Sequence, residues 1–281
     1  MTTSAQPPDA ATTSKRLVVQ RHSLTTRLGH WVTVLAMGIL LMSGLQILNA
    51  HPALYWGETG FEPSRAWLAI GDDDGDPPRG TLRLGRHQWD TTGWLGIVMN
   101  GDDTEQKAFP GGLTIPSGRD LATGRRWHLF FAWVLVTSGL IYFVTSIVSG
   151  HIRRDLWLTA AERSPRRLLW DLWHHLRLRF PKGEAARVYN PLQKLAYLGV
   201  IFGVAPLMVL TGLTLSPAMN AAAPFLLDVF GGRQSARSLH FICAGLLVLF
   251  LFIHLAALLA VGVWNELRSM ITGRYVISTK E

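Results

Sequence analysis

Four histidines stand inside or at the edge of long apolar stretches of this 281-residue chain: His30, His128, His240 and His254. An imidazole is costly in hydrocarbon, so one found there points to ligand or proton chemistry before it points to packing. His240 and His254 lie fourteen residues apart in one stretch. On an α-helix that interval falls ~40° short of four full turns and rises ~21 Å, so both rings project from nearly one face. Two redox centres stacked at that interval could carry electrons from one side of a bilayer to the other.

Such rings need rigid elements, and four blocks are long and apolar enough to supply them. They run over about 28–48, 127–148, 195–215 and 239–263. A helix crosses ~30 Å of hydrocarbon with about 20 residues, and the backbone can satisfy itself there only as a helix or a closed barrel. The chain is 48% hydrophobic and 16% charged, against about a quarter charged in soluble domains, and it carries 11 Trp, a residue of membrane boundaries. Pro206 lies inside the third block, where it removes a hydrogen-bond donor and predicts a kink.

Loop charge predicts orientation. The segment from His151 to Pro191 holds nine Arg/Lys against four Asp/Glu, and the tail before the first block adds Lys15, Arg16, Arg21 and Arg27. The segment from Asn49 to Gly124 holds six basic residues against eleven acidic ones. By the positive-inside rule both termini and the basic loop are cytoplasmic, and the acidic loop is outside. The net charge of +8 then follows from membrane topology and does not call for nucleic acid.

This topology sorts the histidines by depth. His30 and His254 fall near the inner face, and His128 and His240 near the outer one. Two imidazoles at one level are the axial set of a b-type haem. The chain has one cysteine, Cys243, and no C-x-x-C-H motif, so any haem is held non-covalently. Gly44, fourteen residues after His30, together with Gly139, Gly212 and Gly245, would let a macrocycle approach the backbone. Arg125 and Arg126 precede His128 on the acidic side, and Arg237 precedes His240. Each is a candidate partner for a haem propionate, because guanidinium pairs carboxylates bidentately. The remaining histidines, His22, His51, His87, His151, His174 and His175, carry no ligand pattern.

The fold expected is an all-α membrane protein, a four-helix bundle holding two haems b. A cytoplasmic tail covers 1–27, an outer loop 49–126, a basic cytoplasmic loop 149–194 and a second cytoplasmic tail 264–281. The stretch to Thr13 reads as a disordered tail. The outer loop is too long for a bare connection and predicts a lid of short helices or strands. The segment "RRLLWDLWHHLRLRF" has the Leu and Trp spacing of an amphipathic surface helix on the inner leaflet.

The stretches "RLGHWVTVLAMGILLMSGLQI", "GRRWHLFFAWVLVTSGLIY", "YNPLQKLAYLGVIFGVAPLMVLTGL" and "RSLHFICAGLLVLFLFIH" resemble the four helices of the bacterial cytochrome b561, nickel-hydrogenase cytochrome b and formate dehydrogenase gamma superfamily. The resemblance implies a di-haem subunit of the bacterial inner membrane that exchanges electrons between a quinone pool and a peripheral enzyme. It also implies a quinone site near the start of the third helix, which here would involve Asn190 and Gln193. "FPGGLTIPSGRDLATGRRWH" is most similar to the thiosulfate reductase cytochrome b-like branch, whose members accompany an exported molybdopterin enzyme. The alternatives are a self-sufficient b561-type membrane oxidoreductase and a haem-free transporter or sensor.

Overall fold

A computed structural model describes residues 14–73, 75–100, 103–177 and 190–280. Four helices are long and apolar enough to cross a membrane: Leu24–Leu48, Leu121–Val148, Pro191–Leu215 and Arg233–Val261, the first to fourth spans. Their side chains sort inside out relative to a soluble protein. Leu35, Phe130, Trp133, Val148, Phe252 and Leu259 point away from the bundle, while Ser43, Ser146, Thr211, Ser238 and Cys243 are buried within it. Lipid is as apolar as leucine, so small and weakly polar residues make the closer helix contacts.

Each span begins four to six residues ahead of its apolar block, because a polar cap adds a first turn that hydropathy does not see. The Ser23 Oγ accepts the Thr26 N–H at 3.2 Å. The Asp120 carboxylate accepts the Thr123 N–H at 2.9 Å. Asn190 and Gln193 close a reciprocal capping box on the third span. The fourth span is capped from a distance: the Gly57 carbonyl accepts the N–H groups of Gln234 and Ser235 at 3.0 and 3.2 Å. Gly232, at φ +105°, lets that carbonyl in, since a Cβ there would lie 2.6 Å from it. Pro206 lies in the first turn of the helical segment Ala205–Leu215 of the third span. A π-helical turn, Val200–Val204, precedes it, and the Ala205 N–H reaches back to the Val200 carbonyl, so the ladder is locally widened where the proline lacks a donor.

The protein is mostly helical but not all-α, and eight strands occur among the described residues. Six of them build the long connection between the first two spans. Strands β2 (Ala53–Leu54), β3 (Leu68–Asp72), β4 (Gly80–Leu84) and β5 (His87–Asp90) form a meander in that order. The hairpin of β6 (Gly96–Asn100) and β7 (Asp103–Lys107) packs beside it. Leu54, Ile70, Ala108 and Phe109 bury against Leu48 at the end of the first span, with Phe241 of the fourth alongside. This lid is also hydrogen-bonded to the bundle. Ser238 donates to the Tyr55 carbonyl at 2.6 Å and accepts from the Trp67 indole at 2.9 Å, and Gln46 donates to the Gly118 carbonyl at 2.7 Å.

The segments expected to be tails are ordered where they are described. Strand β1 (Ser14–Gln20) pairs antiparallel with β8 (Arg274–Lys280), Val18 opposite Val276. A helix, Val263–Thr272, leads into β8, and its Glu266 meets Arg21 at 2.9 Å. Both strands are rich in β-branched residues, which favour extended backbone, but each finds its partner some 260 residues away in sequence. This ribbon lies at the opposite end of the bundle from the lid. From the basic loop, Pro165–Leu176 is a helix with Leu169, Trp170, Leu172 and Trp173 exposed. Guanidinium groups lie over two of its indoles, Arg167 over Trp170 and Arg177 over Trp173. The stretch to Thr13, Asp74, Asp102 and the rest of the basic loop from 178 to 189 lie outside the described residues.

Candidate cofactor sites

The bundle brings the four histidines together as two pairs. His128 and His240 have ring centres 6.2 Å apart near the lid, and His30 and His254 have ring centres 6.4 Å apart near the ribbon. An imidazole nitrogen sits about 2.0–2.1 Å from a bound d-block metal, and adding about 1.1 Å from nitrogen to ring centre puts two axial rings on one ion roughly 6.3 Å apart. Both pairs have that spacing. No group of three or more His, Cys, Asp or Glu is placed to hold a metal ion among the described residues. Two imidazoles at this spacing could hold a haem, whose porphyrin would supply the remaining donors. The donor sets fit haem b, held without covalent attachment.

The lid-side rings are held from behind. The Nδ1 of His128 lies 3.1 Å from the Ser43 Oγ on the first span. The Nδ1 of His240 lies 3.1 Å from the Thr211 Oγ1 and 3.2 Å from the Met208 carbonyl on the third. With Nδ1 occupied, Nε2 is the nitrogen left to face a metal. Gly44 and Gly212 sit beside these hydroxyls. A Cβ would come within 3.3 Å of the His128 Cε1 at Gly44 and within 3.2 Å of the His240 Cε1 at Gly212. These glycines make room for an imidazole. At Gly139 and Gly245 a Cβ would meet nothing within 4 Å.

The ribbon-side rings have aromatic neighbours instead. His30 stands edge-on to Trp31, with centres 5.3 Å apart, and His254 stacks on Phe250 at 6.3 Å. Neither ring makes a hydrogen bond among the described residues.

The other candidates are less gathered. Arg125 and Arg126 are exposed at the start of the second span, and Arg126 donates to Thr123 Oγ1 within its own first turn. Arg237 is engaged by the lid, where it donates to the carbonyls of Ala53 and His51. In the capping box, the Oδ1 of Asn190 takes the Leu192 N–H and the Oε1 of Gln193 takes the Asn190 N–H. Beside them is a feature hydropathy hides: Lys194, 4% exposed, is paired with Glu162 at 3.0 Å. Burial raises the Glu162 carboxyl, but hydrogen bonds from Thr159 and Lys194 outweigh it and hold the group below the usual carboxylate range. Among the remaining histidines, His51 meets the Gly60 carbonyl, His87 stacks on Trp89, His151 pairs with Asp155 and His174 lies on Trp170.

The chain is 29% identical over 235 residues, 84% of its length and 88% of the relative's, to the "Putative protein-methionine-sulfoxide reductase subunit YedZ1" of Azospira oryzae. It is 35% identical over 111 residues to the "Putative cytochrome YdhU" of Escherichia coli, covering 38% of this chain and 40% of that one. No solved structure matches it significantly. The sequence profile of the prokaryotic cytochrome b561 family matches residues 21–273, all four spans and the lid but neither ribbon strand, and the chain belongs to that family.

Proposed function

We infer that the chain is a di-haem electron-transfer subunit of the bacterial inner membrane, with both termini cytoplasmic and the lid outside. One haem b would lie between His30 and His254 and the other between His128 and His240. Bound haem supplies reversible one-electron iron chemistry. The protein holds the two imidazole pairs at different depths, keeps Nε2 of the lid-side rings bare, and excludes water with its apolar shell. One observation carries this reading: two ring pairs, 6.2 and 6.4 Å apart, joined by one helix.

Quinone is the proposed membrane substrate, reacting beside the ribbon-side pair at the start of the third span. The capping box uses the oxygens of Asn190 and Gln193, so their amide nitrogens are the groups that could donate to a quinone carbonyl. Arg125 and Arg126, two to three residues from His128, are the proposed contacts for lid-side propionates. Arg237 is the weaker candidate, since two lid carbonyls already take its guanidinium. The relative from Azospira is named as a subunit of a reductase. In that light we propose that an extracytoplasmic oxidoreductase, such as the molybdopterin enzyme implied by sequence resemblance, docks on the lid.

A pyridine haemochrome assay on purified protein tests the reading. Two haems b per chain are expected in the wild type, with His128→Ala and His254→Ala each losing or perturbing a different one. Equal haem content and unchanged spectra in all three proteins would overturn it. Turnover by the protein alone would favour a self-sufficient oxidoreductase, and a sample without Soret absorption would favour a transporter or sensor.

A further inference from the structure

The lid-side pair is built twice by one local design. The first span carries Leu40-Leu41-Met42-Ser43-Gly44, and the second carries Arg125-Arg126-Trp127-His128 in its second turn. The third span carries Met208-Val209-Leu210-Thr211-Gly212, and the fourth carries Arg237-Ser238-Leu239-His240 in its second turn. In each two-helix unit the hydroxyl before the glycine meets the imidazole of the next helix at 3.1 Å, and the glycine clears that ring's Cε1. Ser43 and Thr211 are both 0% exposed. The repeat stops at the other pair. His30 lies thirteen residues before Ser43, but thirteen before Thr211 is Leu198. His254 lies fourteen after His240, but fourteen after His128 is Tyr142.

The direction of the hydroxyl bonds fixes the chemistry. The Ser43 hydroxyl donates to the Ile39 carbonyl at 2.7 Å, and the Thr211 hydroxyl donates to the Leu207 carbonyl at 2.7 Å. Each hydroxyl proton is thereby spent, so the oxygen can only accept from the histidine. His128 and His240 therefore carry their proton on Nδ1, and a ring whose Nδ1–H is accepted is a stronger donor through Nε2. A stronger axial donor favours the oxidised, more positive iron. The ribbon-side rings have no such acceptor among the described residues.

We propose that Ser43 and Thr211 are paired positioning residues, which lock the lid-side imidazoles in one tautomer and make the lid-side haem the harder of the two to reduce. The proposal rests on the di-haem reading and deepens it. Its test is a redox titration with low-temperature EPR of the haem-loaded protein, comparing Ser43→Ala, Thr211→Val and Ser138→Ala with the wild type. Ser138 precedes a glycine in the same way, but its hydroxyl goes only to the Leu135 carbonyl, so it controls for a generic hydroxyl loss. Ser43→Ala and Thr211→Val should raise the midpoint and alter the low-spin signal of one and the same haem, the lower-potential one. They should also weaken its retention by ~10–100-fold, the usual effect of losing a partner behind a metal ligand. Ser138→Ala should change neither haem.

Unchanged midpoints and signals in Ser43→Ala and Thr211→Val, with two haems bound, would overturn the positioning role and leave the di-haem reading intact. Changes in different haems would also overturn it. A wild type without two haems would instead sink the reading beneath it. Should the oxygen-free variants not assemble, Ser43→Thr and Thr211→Ser keep the acceptor and must show wild-type spectra. Altered spectra there count against the proposal.

Discussion

The lid-side imidazoles fill their sites so closely that the residues behind them become sensitive. Gly44 and Gly212 are the clearest cases, because a single added Cβ already comes within 3.3 and 3.2 Å of a ring carbon. An alanine would gain about 1 kcal/mol of helix propensity and needs only a small shift of the ring, so its net effect on stability is small. Gly212→Val is different: it adds two further methyl groups against the same ring, and overpacking of that kind costs ~1–3 kcal/mol. We expect Gly212→Val to lower haem retention roughly tenfold or more while leaving helical content intact, as read by haem-to-protein ratio and circular dichroism. The four histidines were legible in the sequence because depth and spacing depend only on helix geometry. Ser43 and Thr211 were not. A hydroxyl in a membrane helix ordinarily bonds its own i−4 carbonyl, as both of these do, and only the neighbouring helix shows that its oxygen has a second task. The lid contacts of Arg237 were hidden for the same reason.

Among the elements, the spans follow from hydropathy, and what escaped was part of their polar punctuation and the pairing of the strands. Hydropathy marks where lipid begins, whereas Ser23, Asp120 and Asn190 mark where the helix begins, a turn earlier. The β1–β8 ribbon was illegible because seven alternating residues have no meaning until their partner is known. His22 joins that ribbon to the first span and supplies a test of it. Burial, with the Arg21 charge beside it, lowers the His22 imidazole to about 4. Its ordinary value is ~6.5, so the folded state resists a proton that the detached segment accepts. The stabilisation is complete above pH ~6.5 and is lost as pH falls from there toward about 4. Hydrogen exchange in residues 14–20 and 274–280, corrected for intrinsic rates, should therefore accelerate over that interval. His22→Gln should flatten the response, and an unchanged slope in that variant would assign the acid sensitivity elsewhere.

For the whole molecule, the two ends of the bundle are chemically unlike. One carries an acidic, strand-rich lid tied to the fourth span through Gly57, Ser238 and Arg237. The other carries the ribbon, the Lys194–Glu162 pair and a helix with arginines over exposed indoles. This contrast supports the orientation proposed from loop charge, and it can be read out with little background because Cys243, the one cysteine, is free and 2% exposed. A membrane-impermeant maleimide applied to intact spheroplasts should label Ser64→Cys in the lid and spare Ser164→Cys until the membrane is opened. The reverse pattern would invert the topology while keeping the histidine pairs. Legibility at this scale was mixed. Charge asymmetry and pairing depth come through from sequence, but the lid's architecture does not, since its strands are short and take their core from the spans beneath them.

The ribbon also sets an order of events during synthesis. Ser14 pairs with Lys280, so β1 leaves the ribosome early and waits while four helices are threaded into lipid. At ~5–20 residues per second that wait is on the order of 10–50 s. Throughout it, β1 is an unpaired edge open to proteases and to other nascent chains. Its capture by β8 thus follows the synthesis of all four spans, and a chain stalled before Arg274 would keep that edge exposed as a mark of incomplete insertion.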